Sequence, residues 1–233
     1  EDPTLGELFR EKRAEIDTQL SMLANIDTRR FLYGSLQLSG AVNDGLLATA
    51  TGLLSRVPPR SRDAHAEGYL DAAAFAARAE SEIEYYRQAY PELPATVTTR
   101  ADTTGLMVSR GNLLVSQSTR IPSSRVEALL QHEVGTHILT YHNGCAQPFR
   151  QLYSGLSGYD ALQEGLAVFA EYLVGGLSRP RLRLLAARVV AARALTEGAT
   201  FVDTFRQLHR DWGFEQYTAF GITMRVYRGG GLT

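Results

Sequence analysis

His132-Glu133-Val134-Gly135-Thr136-His137 decides how this chain is read. The stretch continues an apolar run, Val126-Glu127-Ala128-Leu129-Leu130-Gln131, that enters from Ser123 and Ser124 and reads as a helix. Two histidines and a glutamate on one short apolar segment are costly to bury unless something uses them. Neutral imidazoles are the commonest nitrogen ligands of zinc, and a carboxylate beside them can take a proton from a metal-bound water. The spacing sets a condition. A regular α-helix turns about 100° per residue, so histidines four apart share a face, while histidines five apart are separated by about 140° and do not. The zinc reading therefore predicts a widened, π-type turn between His132 and His137, with Gly135 where a backbone irregularity is least costly. The rival reading makes both histidines ordinary core residues and leaves Glu133 in solvent. With only five histidines in the chain, their assembly as H-E-x-x-x-H favours metal ligation.

A catalytic zinc site takes three protein ligands and keeps a fourth position open. Glu164 is the best third candidate, in Asp160-Ala161-Leu162-Gln163-Glu164-Gly165-Leu166-Ala167-Val168-Phe169-Ala170-Glu171, a second helical stretch running to about Leu177. A carboxylate among so many apolar neighbours needs a partner. Gly165 beside it would admit a metal or another backbone. Glu164 follows His137 by 27 residues, enough for a turn back onto the first helix. His142, evenly spaced after His132 and His137, is a rival, although Gly144 falls after it rather than before. Cys145 is a weaker rival, read first as a plain loop thiol. Glu171 lies seven residues past Glu164 on the same helical face, either supporting the site or facing solvent.

The first motif is a relative of the HExxH metallopeptidase signature with one extra residue. Together with Asn143, Gln147-Pro148, Gln163-Glu164-Gly165-Leu166-Ala167 and the late segment Thr223–Leu232, it resembles the bacterial QEGLA-motif proteins, called flavohaemoglobin expression-modulating proteins. It also resembles their eukaryotic relatives, the microtubule-associated tyrosine carboxypeptidases, which remove the C-terminal tyrosine of α-tubulin. The resemblance implies a zinc carboxypeptidase with His132, His137 and Glu164 as ligands, Glu133 as general base, and a preference for a C-terminal tyrosine or other aromatic residue. The chain departs from the eukaryotic members in showing no long basic extension. Its 24 basic residues are arginines apart from Lys12, a bias that suits a GC-rich bacterial genome and leaves the substrate open.

A carboxypeptidase must also grip a free carboxylate, which arginine does best through two parallel hydrogen bonds. Arg225 and Arg228, three apart on one helical face, are the candidates. The alternative for both is a solvated helix turn. The arginines at 179, 181, 183, 188 and 193 read as a wet helix face. Asn143 and Gln147 are expected to line the cleft or to serve loop chemistry. For the oxyanion the available donors are Tyr159, His209, Tyr217, Tyr227, Arg225 and Arg228, and the sequence does not choose among them.

The expected fold class is α+β, mostly α: a helical zinc-metallopeptidase domain with a small antiparallel sheet or hairpin next to the HExxxH helix. Residues 1–94 read as a helical N-terminal part and 95–233 as the catalytic part of one compact unit. Helices are expected from Leu5 to Leu23, from an Asp27 cap through Leu36, from Asn43 or Asp44 through Leu53, and from Glu67 to Tyr90 before Pro91. Ala95–Arg100 is β-like, and Leu106–Ser109 and Leu113–Ser116 flank Arg110-Gly111-Asn112 as a hairpin. Further helices are expected near 122–142, 159–177, 181–197, 199–211 and 214–227. An edge strand beside the metal helix could receive an extended peptide as one more strand. A net charge of −1 gives no electrostatic case for nucleic acid or an anionic membrane. One cysteine excludes an internal disulfide and fits the reducing cytoplasm. The readings to separate are a carboxypeptidase, a zinc endopeptidase or dipeptidyl peptidase, and a non-catalytic regulator.

Overall fold

The computed structural model describes residues 2–59 and 68–229, most of them in helices, with a few short strands. In chain order the elements are α1 (Pro3–Ala24), α2 (Arg29–Ser39), α3 (Asp44–Arg56), β1 (Tyr69–Asp71), α4 (Ala72–Arg87), β2 (Val97–Arg100), β3 (Leu106–Ser109), β4 (Asn112–Ser116) and β5 (Arg120–Pro122). They continue with α5 (Val126–His132), α6 (Leu139–Cys145), α7 (Gln151–Ser154), α8 (Tyr159–Leu173), α9 (Arg179–Thr196), α10 (Phe201–Arg206) and α11 (Gln216–Tyr227). The chain is thus mostly helical α+β, with small sheets. Side-chain oxygens of Asp2, Thr28, Asn43, Asp71, Ser178 and Thr200 accept from the first free N–H groups of their helices. Thr28, and not Asp27, caps α2; Asp27 itself sits at φ 63°. The long helix expected from Glu67 begins only at Ala72. Tyr69–Asp71 is a strand, and Glu67 lies outside the described residues, as do Gly230–Leu232 of the late family-like segment.

Contacts gather the chain into two compact units, Glu1–Arg62 with Ser178–Thr233, and Asp63–Leu177. Neither boundary falls near residue 94. There Arg87 of α4 donates to the carbonyls of Leu93 and Ala95 at 3.2 and 2.7 Å, and Glu80 accepts from Val97 N–H at 2.9 Å, so α4 and β2 are sewn together.

In the first unit, Ala50 and Leu54 of α3 meet Ala186 and Val190 of α9, and Ala187 and Ala191 on α9 join Leu208, Ala219 and Ile222. Arg183 corrects the wet-face expectation for α9: it is 4 % exposed. Its guanidinium donates to the carbonyls of Leu54, Val57 and Trp212 and lies over the Phe214 ring. It thereby satisfies carbonyls at the end of α3 that no helical N–H reaches. Burial lowers its pKa from the usual arginine value.

In the second unit, β3 and β4 form the expected hairpin, closed by Arg110 and Gly111 at φ 49° and 73°. Positive φ at both turn positions matches the right-handed strand twist. The sheet is mixed rather than antiparallel, because β2 joins β4 in parallel register, Val97 opposite Leu113. A second, two-stranded antiparallel sheet pairs β1 with β5. Phe75, Ile83, Leu113, Val115, Leu130, Val134 and Ile138 are fully buried in one core that ties α4 and β4 to the histidine-bearing helix. No helix among the described residues is long and apolar enough to cross a membrane.

Candidate metal centre

The helix carrying the histidines changes pitch where the spacing requires it. α5 ends at His132, residues Glu133–Ile138 form a π-helix, and α6 resumes at Leu139. The wide turn is supported by side chains: the Thr136 hydroxyl donates to the Gln131 carbonyl at 2.9 Å, and Thr140 to that of Thr136 at 2.6 Å. Gly135 leaves room for its neighbours: a Cβ there would stand 2.5 Å from Gln131 Oε1 and 3.3 Å from the Tyr86 hydroxyl, so the Gln131 side chain would have to shift. The imidazoles of His132 and His137 consequently lie side by side, ring centroids 4.9 Å apart and planes at 73°.

α8 brings Glu164 to the same place. Its carboxylate oxygens stand 3.8 Å from Nε2 of His132 and 3.8 Å from Nε2 of His137. Each of the three residues offers a ligand atom, and these atoms lie within 4.8 Å of one another. Ligands of one tetrahedral zinc ion, at about 2.0–2.2 Å, are about 3.4 Å apart. The gaps are therefore too long for hydrogen bonds and close to what a shared ion needs, so the donor set fits zinc. Glu164 is well exposed, which suits a site open to substrate. Gly165 has open space where a Cβ would go, so no other backbone approaches it among the described residues.

Just beyond the C-terminal end of α8 the chain packs closely against α5. A Cβ on Gly176 would fall 2.3 Å from Ala128 Cβ and 3.1 Å from the Glu171 carbonyl. Gly176→Ala is accordingly expected to destabilise the protein by about 1–3 kcal/mol through overpacking. Thermal unfolding of the variant checks this. The same end of α8 carries Glu171, fully buried, with Oε1 2.9 Å from His132 Nδ1 and Oε2 accepting from Arg125 at 2.8 Å. Of the two sequence readings of Glu171, the solvent-facing one is thus excluded.

Burial raises the Glu133 carboxyl pKa above its usual value; His132 opposes the rise, and Glu164 and Glu171 add to it. Burial also lowers the His137 pKa, with His132 acting in the same sense, while Glu164 and a hydrogen bond accepted by the Gln163 side chain act against it. A neutral imidazole is the form that ligates a metal.

His142 is withdrawn from the ligand question: it is buried, and its Nε2 meets the Gly111 carbonyl at 3.0 Å. Cys145 is free and exposed. Asn143 and Gln147 are exposed, on α6 and in the turn after it. Arg225, Tyr227 and Arg228 belong to the other unit, and the histidines and Glu164 come together without them. Tyr227 is not a free cleft residue. It is buried, its hydroxyl donates to the Ala199 carbonyl at 2.6 Å and meets Thr204 Oγ1 at 2.8 Å. His209 is likewise engaged, Nδ1 to the Phe214 carbonyl at 2.7 Å. Arg125 is the contributor the sequence did not reveal; it precedes α5, 46 residues from Glu171, and no spacing signals the pair.

The family model described as microtubule-associated tyrosine carboxypeptidase matches residues 1–233. Comparison with curated proteins and with solved structures found no match.

Proposed function

The chain belongs to the microtubule-associated tyrosine carboxypeptidase family, and from that premise we propose that it is a zinc-dependent carboxypeptidase removing a C-terminal, preferably aromatic residue from a peptide or protein. One observation carries the metal part: His132, His137 and Glu164 gather ligand atoms within 4.8 Å of one another, the two histidines on a helix distorted where a spacing of five requires it and Glu164 on α8. Zinc, when bound, supplies Lewis acidity and acidifies its water towards a pKa of about 7. Glu133, next in sequence to His132 and raised in pKa by burial, accepts that proton on its carboxylate and delivers it to the leaving amine.

β3 supports a mode of substrate binding. Among the described residues it pairs only with β4, and it packs against the π-helix. Ser109 and Asn112 close the two-residue turn, so by alternation the backbone groups of Leu106 and Val108 point away from β4. An extended substrate backbone can hydrogen-bond there as an added strand. The net charge of −1 gives no general attraction to an acidic polymer such as a microtubule, so tubulin is not the substrate we propose.

The test is mass spectrometry of a peptide mixture incubated with the purified protein, with and without chelator. Release of single C-terminal residues, abolished by chelator and restored by zinc, is the expected result. Internal cuts or released dipeptides would replace the carboxypeptidase by an endopeptidase or dipeptidyl peptidase. No cleavage of any peptide, with zinc bound, would favour a non-catalytic regulator.

A further inference from the structure

We propose that Glu171 is a positioning residue that sets how tightly the His132–His137–Glu164 site holds its ion, by fixing the His132 imidazole from behind, with Arg125 in turn fixing Glu171. The inference rests on the zinc reading above and adds to it a control of affinity by two residues outside the ligand set.

The His132 ring is gripped from both ends by one helix. Glu164, on α8, faces its Nε2 at 3.8 Å, and Glu171, two turns further along, meets its Nδ1 at 2.9 Å. A carboxylate at Nδ1 holds the proton on that nitrogen. The Nε2 lone pair is then directed at the ion and made more basic. Glu171 has little freedom to do otherwise. It is fully buried, and its second oxygen accepts from Arg125 Nη2 at 2.8 Å. Arg125 is anchored by a further bond from Nη1 to the Gly176 carbonyl at 2.6 Å. Arg125 and His132 stand at opposite ends of α5, so the pair braces the whole length of that helix against the last turns of α8.

His137 also faces Glu164, at 3.8 Å from Nε2, while His132 has in addition the Glu171 carboxylate at Nδ1. The two imidazoles are therefore unequal ligands, and His132 is the one backed by a charge. Stability alone does not explain the arrangement, because a buried ion pair is often no more stabilising than apolar residues of the same size.

The experiment is zinc affinity by competition with a chromophoric chelator, together with the visible spectrum of the cobalt(II)-loaded protein. It compares wild type, Glu171→Gln, Arg125→Lys and, as a control, His132→Ala. Glu171→Gln keeps an acceptor for Nδ1 but removes the charge. It is expected to weaken zinc binding about 10–100-fold and to shift the cobalt bands, which a merely structural residue would leave unmoved. Arg125→Lys, which leaves Glu171 in place but cannot make both bonds, is expected to weaken binding in the same direction. It decides the matter if Glu171→Gln does not fold. Zinc affinity within about twofold of wild type and an unchanged cobalt spectrum in the folded variants, with His132→Ala losing the metal, would overturn the proposal and leave the zinc site standing. If wild type binds no zinc, or His132→Ala binds it as well as wild type, the zinc reading itself fails and takes this proposal with it.

Discussion

Glu133→Gln is expected to lower the rate of C-terminal residue release by about 10²–10⁴-fold, the range over which a positioned general base contributes, while zinc remains bound at one equivalent. The amide is nearly the same size and can still hydrogen-bond, but it cannot accept the proton. Glu133 is not part of the ligand set, which consists of His132, His137 and Glu164, so metal content should not follow activity down. Its burial argues for the same division of labour: a carboxyl pKa pushed upward by burial, with Glu164 and Glu171 adding to it, describes a base rather than a solvated surface acid. Parallel measurement of bound metal and of residue release checks both halves. Activity within tenfold of wild type, well short of the expected loss, would remove Glu133 from the chemistry.

The second large effect is expected at Glu164. Replacing it by alanine leaves two imidazoles as the only protein ligands, and zinc affinity should fall by more than the about 10–100-fold typical of residues outside the ligand set. Folding should barely register the change. Glu164 is 65 % exposed at its side chain, and its neighbours at 3.8 Å are the two histidines. Surface substitutions away from structural features stay within about 0.5 kcal/mol. Zinc titration beside thermal unfolding separates the two. A variant that keeps wild-type affinity would show that the third ligand comes from elsewhere. A variant that unfolds would show that Glu164 is structural.

Much of this site can be read in the sequence because its geometry is local. A spacing of five between histidines demands a wide turn, and residues 133–138 provide it. The hairpin is legible because Arg110-Gly111-Asn112 sits between two short apolar runs, Leu106–Ser109 and Leu113–Ser116. What stayed hidden depends on partners distant in sequence. The parallel pairing of β2 with β4 and the pairing of β1 with β5 have no local signature. Arg183 looked like its neighbouring arginines until α3 and Trp212 supplied carbonyls around it. Arg125 and Glu171 are 46 residues apart and meet where the chain at Gly176 lies close against Ala128. The bonds of Tyr227 are hidden for the same reason: its hydroxyl meets Thr204 and the Ala199 carbonyl, 23 and 28 residues away.

The π-helix also governs the opposite flank of its own rod. Val126, Leu130, Val134 and Ile138 all enter one core, at a constant interval of four. On a regular helix each such step precesses by about 40°, so three steps would spiral the last residue roughly 120° away from the first. A turn holding more residues per revolution winds that spiral back, and the four side chains form a single keel beneath the histidines. Any mutation that tightened the coil to ordinary pitch would twist this keel out of line as it parted the imidazoles.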